Sequence, residues 1–357
     1  MLPVISFAQC NGHQELCGKP YNEVAFVTTH NAFNAGEEGF GLPNHNFGIT
    51  RQLNDGVRGL MLDVYDEGGV ATVYHGFSFL GTAPLESNLT EIGEFLVANP
   101  NEILTIIFEC YVDSGMIEAA FTNVGLIPFL HEQTLGEDWP TLQEMINTNK
   151  RLVVFTDRND AGVGQEWYHY VWDFAVETGF TNNAPSDFSC EFNRGDSIND
   201  LFILNHFITD ATIGVGVPAQ AEIVNEFDYF YNRATTCWAE KEKFPNFLTI
   251  DFHELGDAFE VADSINGIPS SVGVESISKN AGFSVFPNPS KGLFQIEAPS
   301  SMANAFYKVY RSNGQLVLDT NWKGKQLKLD LSGEPDGVYF LSVTVGDEYQ
   351  AFRLIKL

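Results

Sequence analysis

Short apolar runs alternate with longer amphipathic stretches between residues 24 and 252. The short runs predict β-strands, and the apolar residues at helical spacing predict helices. The helix predicted over residues 85–98 stops at Asn99-Pro100, because proline cannot continue a helix, and a strand-like run follows. The predicted strands cover residues 24–29, 59–64, 71–74, 103–108, 152–156, 201–204 and 247–250. The other predicted helices cover residues 141–147, 166–178 and 219–233.

Alternation of strands and helices over this length is typical of an α/β fold with a parallel sheet. Six to eight strands in one continuous stretch favour a single barrel, so we predict a distorted TIM-type (β/α) barrel over residues 10–266. Polar or ionisable residues stand where the predicted strands end. In a parallel barrel these ends form the rim that carries the active site. The residues are His30, Asn31, Asp63, His75, Glu109, Asp157, His206 and Asp251.

The composition changes at residue 267. Residues 267–282 are rich in Gly, Ser, Pro and Val without helical periodicity, and they predict a linker. Residues 283–357 alternate strand-like runs with turns, which predicts a small all-β sandwich. Its predicted strands cover residues 283–286, 293–297, 305–310, 316–319, 326–331, 338–345 and 349–355.

Acidic residues outnumber basic ones by 47 to 19, a formal net charge of −28. A solvated acidic surface explains most of this charge. Such a surface repels nucleic acid and anionic membranes, so we expect no nucleic-acid partner. It also favours a bound cation wherever carboxylates converge. Because no run approaches the ~18 apolar residues of a membrane span, we predict no transmembrane segment.

The five cysteines contain no CxxC pair. Cys10 and Cys17 lie close together and suit a local disulfide in an exported protein. Cys190 and Cys237 can form a second bridge, which leaves Cys110 as a buried free thiol in an apolar run. Residues 1–9 resemble the end of a signal peptide, although the basic segment that starts such peptides is missing.

Two histidines and several carboxylates at one rim indicate acid–base chemistry, with a cation as a further element. His30 and His75 are of the type that serves as general base and general acid. Asn31, Asp63 and Glu109 offer only oxygen ligands, the preference of Ca²⁺.

Two other histidine positions carry weaker signals. His206 suits either a substrate contact at the rim or a hydrogen bond in the core. The segment His253-Glu254 starts like the zinc-protease motif HExxH. Its fifth residue is Asp257 and Gly256 weakens a helix, so we predict no such zinc site.

Four segments resemble, in the same order, segments of the X region of the phosphatidylinositol-specific phospholipase C family. They are residues 28–33 (TTHNAF), 55–66 (DGVRGLMLDVYD), 73–77 (VYHGF) and 104–109 (LTIIFE). Two further segments, residues 204–207 (LNHF) and 245–252 (PNFLTIDF), are similar to secreted bacterial and fungal relatives with the same barrel.

The resemblance implies that His30 and His75 are the catalytic histidines and that Asp251 orients His30. It also implies that Asn31, Asp63 and Glu109 are calcium ligands, as in the metal-dependent branch of the family.

At two positions the sequence departs from the family pattern, and both positions bear on whether the site binds a metal ion. Met61 replaces a glutamate of the metal-dependent branch, and Tyr65 replaces an arginine of the metal-free branch. The retained oxygen ligands favour calcium. The lysines that hold substrate phosphates in the eukaryotic enzymes, near the fifth strand, are not evident here. Arg158 is the nearby cation that is a candidate for this role.

The implied reaction is internal phosphoryl transfer, in which a hydroxyl next to the phosphodiester of a phospholipid or its headgroup attacks phosphorus. Two alternatives remain open. One is an inactive barrel that acts as a secreted binding or adhesion module. The other is a related phosphodiesterase that acts on sphingolipid or glycerophosphodiesters.

Residues 283–294, 331–341 and 353–357 resemble the sorting domain of the Bacteroidetes type IX secretion system. This resemblance implies a secreted or cell-surface protein whose partner is the type IX machinery. The alternative is an accessory β-domain that binds carbohydrate or a neighbouring protein.

Overall fold

The computed structural model describes residues 9–210, 215–269, 284–311, 315–345 and 348–357. It divides into two compact units, Met1–Pro269 and Ser270–Leu357. The predicted signal-peptide remnant, apart from Gln9, lies outside the described residues. The same holds for residues 270–282 of the predicted linker.

The first unit contains an eleven-stranded sheet and eight α-helices within its described residues. In chain order the strands are β1 (Phe26–Thr29), β2 (Gly59–Asp66), β3 (Ala71–Val73), β4 (Ala83–Pro84), β5 (Leu104–Cys110), β6 (Leu152–Thr156), β7 (Tyr168–Tyr170), β8 (Ala175–Thr178), β9 (Phe192–Gly195), β10 (Leu201–Asn205) and β11 (Phe247–Ile250). The helices are α1 (Ile49–Asp55), α2 (Leu85–Ala98), α3 (Ser114–Asn123), α4 (Leu142–Asn147), α5 (Val171–Phe174), α6 (Pro218–Val224), α7 (Phe227–Lys241) and α8 (Ala258–Asn266).

The hydrogen-bonded order β7-β6-β5-β2-β1-β11-β10-β8-β9 is that of a curled barrel, parallel except for β9. The last strand, β11, returns beside β1. The sheet does not close, and its edge strands are β7 and β9. β7 and β8 are joined only by the four residues of α5. Parallel neighbours need a crossover of about a dozen residues, so these two strands cannot pair. The distorted TIM-type barrel is therefore confirmed, and the short connection explains where it opens.

All seven predicted strands of this unit form, but β3 runs antiparallel to β2 in a hairpin. The predicted helix over residues 166–178 is wrong. This segment forms β7, α5 and β8, because the aromatic residues of β7 and the β-branched Val176 and Thr178 of β8 favour strands. The predicted helix over residues 219–233 is interrupted at Asn225, whose side chain donates a hydrogen bond to the Asp251 carbonyl at 3.1 Å. Helices α1, α3 and α8 were not predicted.

Two apolar clusters form the core of the barrel unit. One contains residues of α2, α3, α7 and α8 and lies between the sheet and the helices. The other contains strand residues such as Phe26, Phe155 and Phe247 and fills the barrel interior. Successive residues of a strand alternate between the two clusters, as the two-residue period of a strand requires.

The structure contains both predicted disulfides, Cys10–Cys17 and Cys190–Cys237. Cys110 is a buried free thiol, as predicted. The second bridge joins the segment before β9 to α7.

The second unit is an all-antiparallel sheet, described over β12 (Ser284–Phe286), β13 (Leu293–Arg311), β14 (Leu316–Asp330), β15 (Gly337–Val345) and β16 (Glu348–Lys356). Buried residues from Phe294 to Leu354 form its own core. The separate all-β domain is confirmed. The seven predicted strands form five, because β13 and β14 each continue through a predicted break with shifts in their pairing register.

Candidate active site

The two-residue period of the strands turns a set of polar side chains into the barrel. On β2 the outward residues Leu60 and Leu62 pack towards the helices, so Met61 and Asp63 face inward. The same period applies to the other parallel strands that carry polar ends. The inward polar residues at these ends are His30, Asp63, Glu109, Asp157, Glu177, Asn205 and Asp251, and all except Asp251 line one cavity.

His30 is held by a carboxylate 221 residues away in sequence. Its Nδ1 lies 3.0 Å from Asp251 Oδ1, and the Asp251 side chain is only 2% exposed. The imidazole stacks on the Phe207 ring at 3.9 Å between centroids. Since a carboxylate only accepts, Nδ1 of His30 carries the proton and Nε2 is the other ring nitrogen. The predicted pairing of His30 with Asp251 is therefore present.

Asn44 supports this pair and was not predicted. Its Nδ2 donates to both carboxylate oxygens of Asp251, at 3.1 and 3.0 Å. A side chain at Gly216 would lie 2.8 Å from Asp251 Oδ2 and 3.3 Å from Asn44 Nδ2, so glycine leaves the pair undisturbed. No sequence motif marks Asn44 or Gly216, because both reach Asp251 through loops.

His75 comes to the rim through the hairpin formed by β2 and β3. Its Nδ1 lies 3.1 Å from Asp63 Oδ2, and its ring centroid lies 6.3 Å from that of His30. Asp63 was predicted as a calcium ligand, and it also serves as the hydrogen-bond partner of His75. The site therefore contains two histidine–aspartate pairs that face one cavity.

Negative charge is crowded beside His75. Asp63 and Glu109 are paired neighbours on β2 and β5. Burial and the nearby Glu109 raise the pKa of Asp63, against a lowering by the hydrogen bond from His75. Burial also raises the pKa of Asp157, which directly follows β6, and Glu109 adds to that effect. A bound cation would relieve this repulsion.

The surroundings of the Asn31 amide bear on whether Asn31 and Asp63 suit a calcium ion. One end of the amide lies 3.1 and 3.2 Å from the two Asp63 oxygens. The other end lies 3.2 Å from His30 Nε2 and 3.3 Å from Asn44 Oδ1. With its nitrogen towards Asp63, the amide donates to the carboxylate. With its oxygen there, three oxygens converge, which is favourable only around a cation and suits the oxygen preference of Ca²⁺.

Asn31 also has an unusual backbone, with φ at 51°. The residue after Asp251, Phe252, has φ at 50°. Left-handed conformations are costly for residues other than glycine and cluster at functional sites. Here they turn the chain directly after His30 and after Asp251.

A cation that was not predicted lies in the cavity wall. Arg194 on β9 donates from Nε to Glu177 Oε1 at 2.5 Å. Its guanidinium stacks on Trp172 and Phe180, at 4.4 and 4.7 Å from their ring centroids. It is the only Lys or Arg among the cavity-lining residues in the part of the chain that the structure describes. No sequence pattern marked Arg194, because β9 was not predicted.

Among the residues that the structure describes, neither Arg158 nor His206 lines the cavity. Arg158 is bound to Asp160 by two hydrogen bonds at 2.8 and 2.5 Å. His206 is fully buried, with Nε2 2.8 Å from the Val224 carbonyl and Nδ1 2.9 Å from Arg233. Burial and Arg233 lower its pKa well below the ordinary value. His206 is therefore a core residue, the second of the two roles considered for it.

Comparisons with known proteins agree with this architecture. Residues 16–266 match the PI-PLC X 1 family, and residues 284–356 match the secretion system C-terminal sorting domain. None of the helices in the described ranges has the length and apolar character needed to cross a bilayer.

A PI-PLC X domain-containing protein of Arabidopsis thaliana is 31% identical over 287 residues, with coverage of 73% of this chain and 66% of the relative. An uncharacterized secreted protein of Arthroderma benhamiae is 28% identical over 293 residues, with coverage of 72% and 64%. The chain thus spans just under two thirds of the length of these two relatives. A phosphatidylinositol-specific phospholipase C from Staphylococcus aureus is 14% identical, with a TM-score of 0.48 and coverage of 71% of this chain and 95% of that chain.

The sorting domain makes this an extracellular or cell-surface protein. The family match extends over far more than half of the 357 residues and contains both histidine–aspartate pairs. On this evidence the chain belongs to the PI-PLC X family and carries a secretion sorting domain after its barrel.

Proposed function

We propose that this protein is a secreted phospholipase C-type phosphodiesterase that cleaves its substrate by internal phosphoryl transfer. One observation carries the proposal. His30 and His75 face one cavity, and each holds its Nδ1 against a buried aspartate. Two imidazoles with fixed tautomers can take up one proton and deliver another in the same reaction.

In the proposed reaction, a substrate hydroxyl next to the phosphodiester attacks phosphorus. His30 accepts the hydroxyl proton at Nε2, and Asp251 stabilises the imidazolium that forms. The bond from phosphorus to the leaving oxygen breaks as the new oxygen–phosphorus bond forms. His75 donates a proton to the leaving oxygen, and the product is a cyclic phosphodiester and an alcohol.

The proposal includes calcium, held by Asp63 and Glu109 with the amide oxygen of Asn31. Bound Ca²⁺ would neutralise the phosphate oxygens and lower the pKa of the attacking hydroxyl. The support is that burial, with Glu109 beside it, raises the pKa of Asp63, and that the Asn31 amide lies against the same carboxylate. Met61 lines the same cavity and offers no oxygen ligand.

Two further features support a lipid phosphodiester as substrate. Phe77 and Phe79 follow His75 closely, are 65% and 81% exposed, and stack on each other at 5.4 Å. Exposed aromatic residues beside a cavity are suited to a lipid surface. Arg194 provides a planar cation for a phosphate or headgroup oxygen. Because the chain has a net charge of −28, we expect attachment to neutral rather than anionic lipid.

The test is a turnover assay of the full chain with Ca²⁺ or a calcium chelator. The substrates are phosphatidylinositol and sphingomyelin vesicles, lysophospholipid micelles and soluble glycerophosphodiesters. We expect a cyclic phosphate product, seen by ³¹P NMR, and activity that depends on calcium. The double variant His30→Ala, His75→Ala is the control for contaminating activity. Vesicle binding without turnover on any substrate would contradict the proposal and favour an inactive binding module.

A further inference from the structure

Three side chains of metal-binding type meet in the barrel unit outside the lining of the described cavity. His45 comes from the loop before α1, whereas His253 and Glu254 follow β11. One ligand atom of each lies within 4.8 Å of the other two. His45 and His253 are 0% and 1% exposed. The fold therefore brings together side chains from two loops that are about 208 residues apart in the sequence.

Each of the three side chains has one polar atom fixed by a neighbour. His45 Nε2 lies 2.8 Å from the carbonyl oxygen of His30, which can only accept, so Nε2 carries the proton. His253 Nε2 lies 3.2 Å from Asp55 Oδ2 and carries a proton for the same reason. Glu254 Oε1 accepts from Asn46 Nδ2 at 2.5 Å.

The remaining atom of each side chain is buried and has no hydrogen-bond partner. These atoms are His45 Nδ1, His253 Nδ1 and Glu254 Oε2. With the protons on both Nε2 atoms, all three are lone-pair donors. Buried polar atoms are paired almost without exception, so three such atoms in one cluster call for a missing partner.

The missing partner is a metal ion rather than a proton. A proton shared between His253 Nδ1 and Glu254 Oε2, which lie 3.4 Å apart, would still leave His45 Nδ1 unpaired. A metal ion accepts the lone pairs of all three atoms at once, because metals bind neutral imidazole nitrogen and carboxylate oxygen.

We propose that His45, His253 and Glu254 form a site for one divalent transition-metal ion, Zn²⁺ by the chemistry of its donors. Two imidazole nitrogens and one carboxylate oxygen suit zinc and exclude a calcium site, which takes oxygen ligands. His253 Nδ1 and Glu254 Oε2 lie 3.4 Å apart. Two ligands of a tetrahedral zinc ion at ~2 Å each are separated by about 3.3 Å.

The hydrogen bonds around the cluster match the surroundings of protein metal sites. Metal-binding histidines usually donate their second N–H to a carbonyl or a carboxylate, and such partners fix the ring orientation. His45 does so to the His30 carbonyl, and His253 does so to Asp55. Asp55 is itself held by Arg51 Nε at 2.7 Å to both oxygens.

The zinc ion would act as a positioning element for the candidate active site. His45 follows Asn44 directly, and His253 is the second residue after Asp251. The Phe252 backbone N–H already donates to the Asn44 carbonyl at 2.9 Å. A metal bound across these two loops would fix the contact between Asn44 and Asp251.

No local sequence motif indicates this site. In the segment His253-Glu254, the second histidine of the zinc-protease motif is replaced by Asp257. The Asp257 carboxylate instead accepts from the Phe227 N–H at the start of α7, at 3.0 Å. His45 supplies the second imidazole from a different part of the chain.

The test measures metal binding and needs no catalytic activity, so it succeeds or fails independently of the proposed phosphodiesterase. The full chain without a polyhistidine tag is treated with 1,10-phenanthroline and titrated with Zn²⁺ and with Co²⁺ in excess Ca²⁺. We expect one equivalent of Zn²⁺ per chain and visible Co²⁺ absorption bands typical of four- or five-coordination. At 100 times the dissociation constant, Zn²⁺ should raise the melting temperature by roughly 5 °C or more.

The variant Glu254→Gln should bind Zn²⁺ at least ~10-fold more weakly. His131→Gln is the matched control, because His131 is also a buried histidine but pairs with Gln133, and it should bind zinc normally. Absence of zinc and cobalt binding by the wild-type chain would overturn the proposal without any variant. Unchanged zinc affinity in Glu254→Gln would overturn the ligand assignment.

Discussion

Asn44 donates from one amide nitrogen to both carboxylate oxygens of Asp251, at 3.1 and 3.0 Å, and the same carboxylate holds His30 at 3.0 Å. Asp251 is almost fully buried, so its orientation depends on these two partners. Asn44 is therefore a positioning residue for the candidate general base.

The first prediction is that Asn44→Ala lowers turnover about tenfold or more with little change in KM. The lost hydrogen bond to a charged group is worth about 1.5–3 kcal/mol, and only its orienting part affects the rate. Asn88→Ala, another buried asparagine, is the control for general destabilisation. Wild-type turnover in Asn44→Ala, or a loss that appears in KM rather than in kcat, would contradict the assignment.

The second prediction separates the two histidines. His75→Ala and His30→Ala should each lower turnover on lipid substrate at least ~10²-fold. A substrate with a p-nitrophenyl leaving group should restore most of the loss in His75→Ala, because nitrophenolate leaves without a proton. It should restore little in His30→Ala, which lacks the base. Equal recovery in both variants would show that the roles are assigned wrongly.

The third prediction compares two arginines. Arg194→Gln should raise KM about tenfold, because it removes a cation from the cavity wall. Arg194→Lys should recover this only in part, since lysine cannot stack as a plane on Trp172 and Phe180. Arg158→Gln is the matched control and should leave KM unchanged, because Arg158 is paired with Asp160 away from the described lining. The reverse pattern would restore Arg158 as the substrate-binding residue.

The fourth prediction concerns acid stability. Burial lowers the pKa of His169 from 6.5 to about 4. The folded state therefore disfavours the protonated ring, and stability that is present above pH 6.5 is lost as the pH falls towards 4. For this residue the loss amounts to about 3 kcal/mol. Measured unfolding free energy should fall over this range, and His169→Gln should reduce the slope by about one proton. An unchanged slope in the variant would mean that His169 does not titrate as argued.

The fifth prediction concerns the second unit. A chain that ends at residue 269 should keep its turnover and its melting transition, because the core residues of the second unit lie between Phe294 and Leu354 and the candidate site lies within residues 30–254. In a host with a type IX secretion system, this truncated chain should fail to reach the cell surface. Fractionation with immunoblotting measures both outcomes. Normal export of the truncated chain, or loss of turnover, would contradict the prediction.

The sequence by itself determined the parts of this protein that depend on local pattern. Short apolar runs predicted all seven strands of the barrel unit, because a parallel strand that is buried on both faces is apolar along most of its length. Strand-end positions and the family resemblance together identified the candidate site residues His30, His75, Asp63, Glu109 and Asp251. Local pattern failed where packing overrides it, as in the aromatic segment that forms β7 and β8.

Only the tertiary structure decided which of these residues meet and what else joins them. Asn44 and Asp251 are 207 residues apart, and no period or motif connects them. Arg194 reached the cavity on an unpredicted strand, whereas Arg158 and His206 did not reach it. His45 completed a cluster with His253 and Glu254 that the local motif argued against. Such contacts depend on how loops from distant strands pack at one rim, and a single sequence does not contain that arrangement in any local pattern.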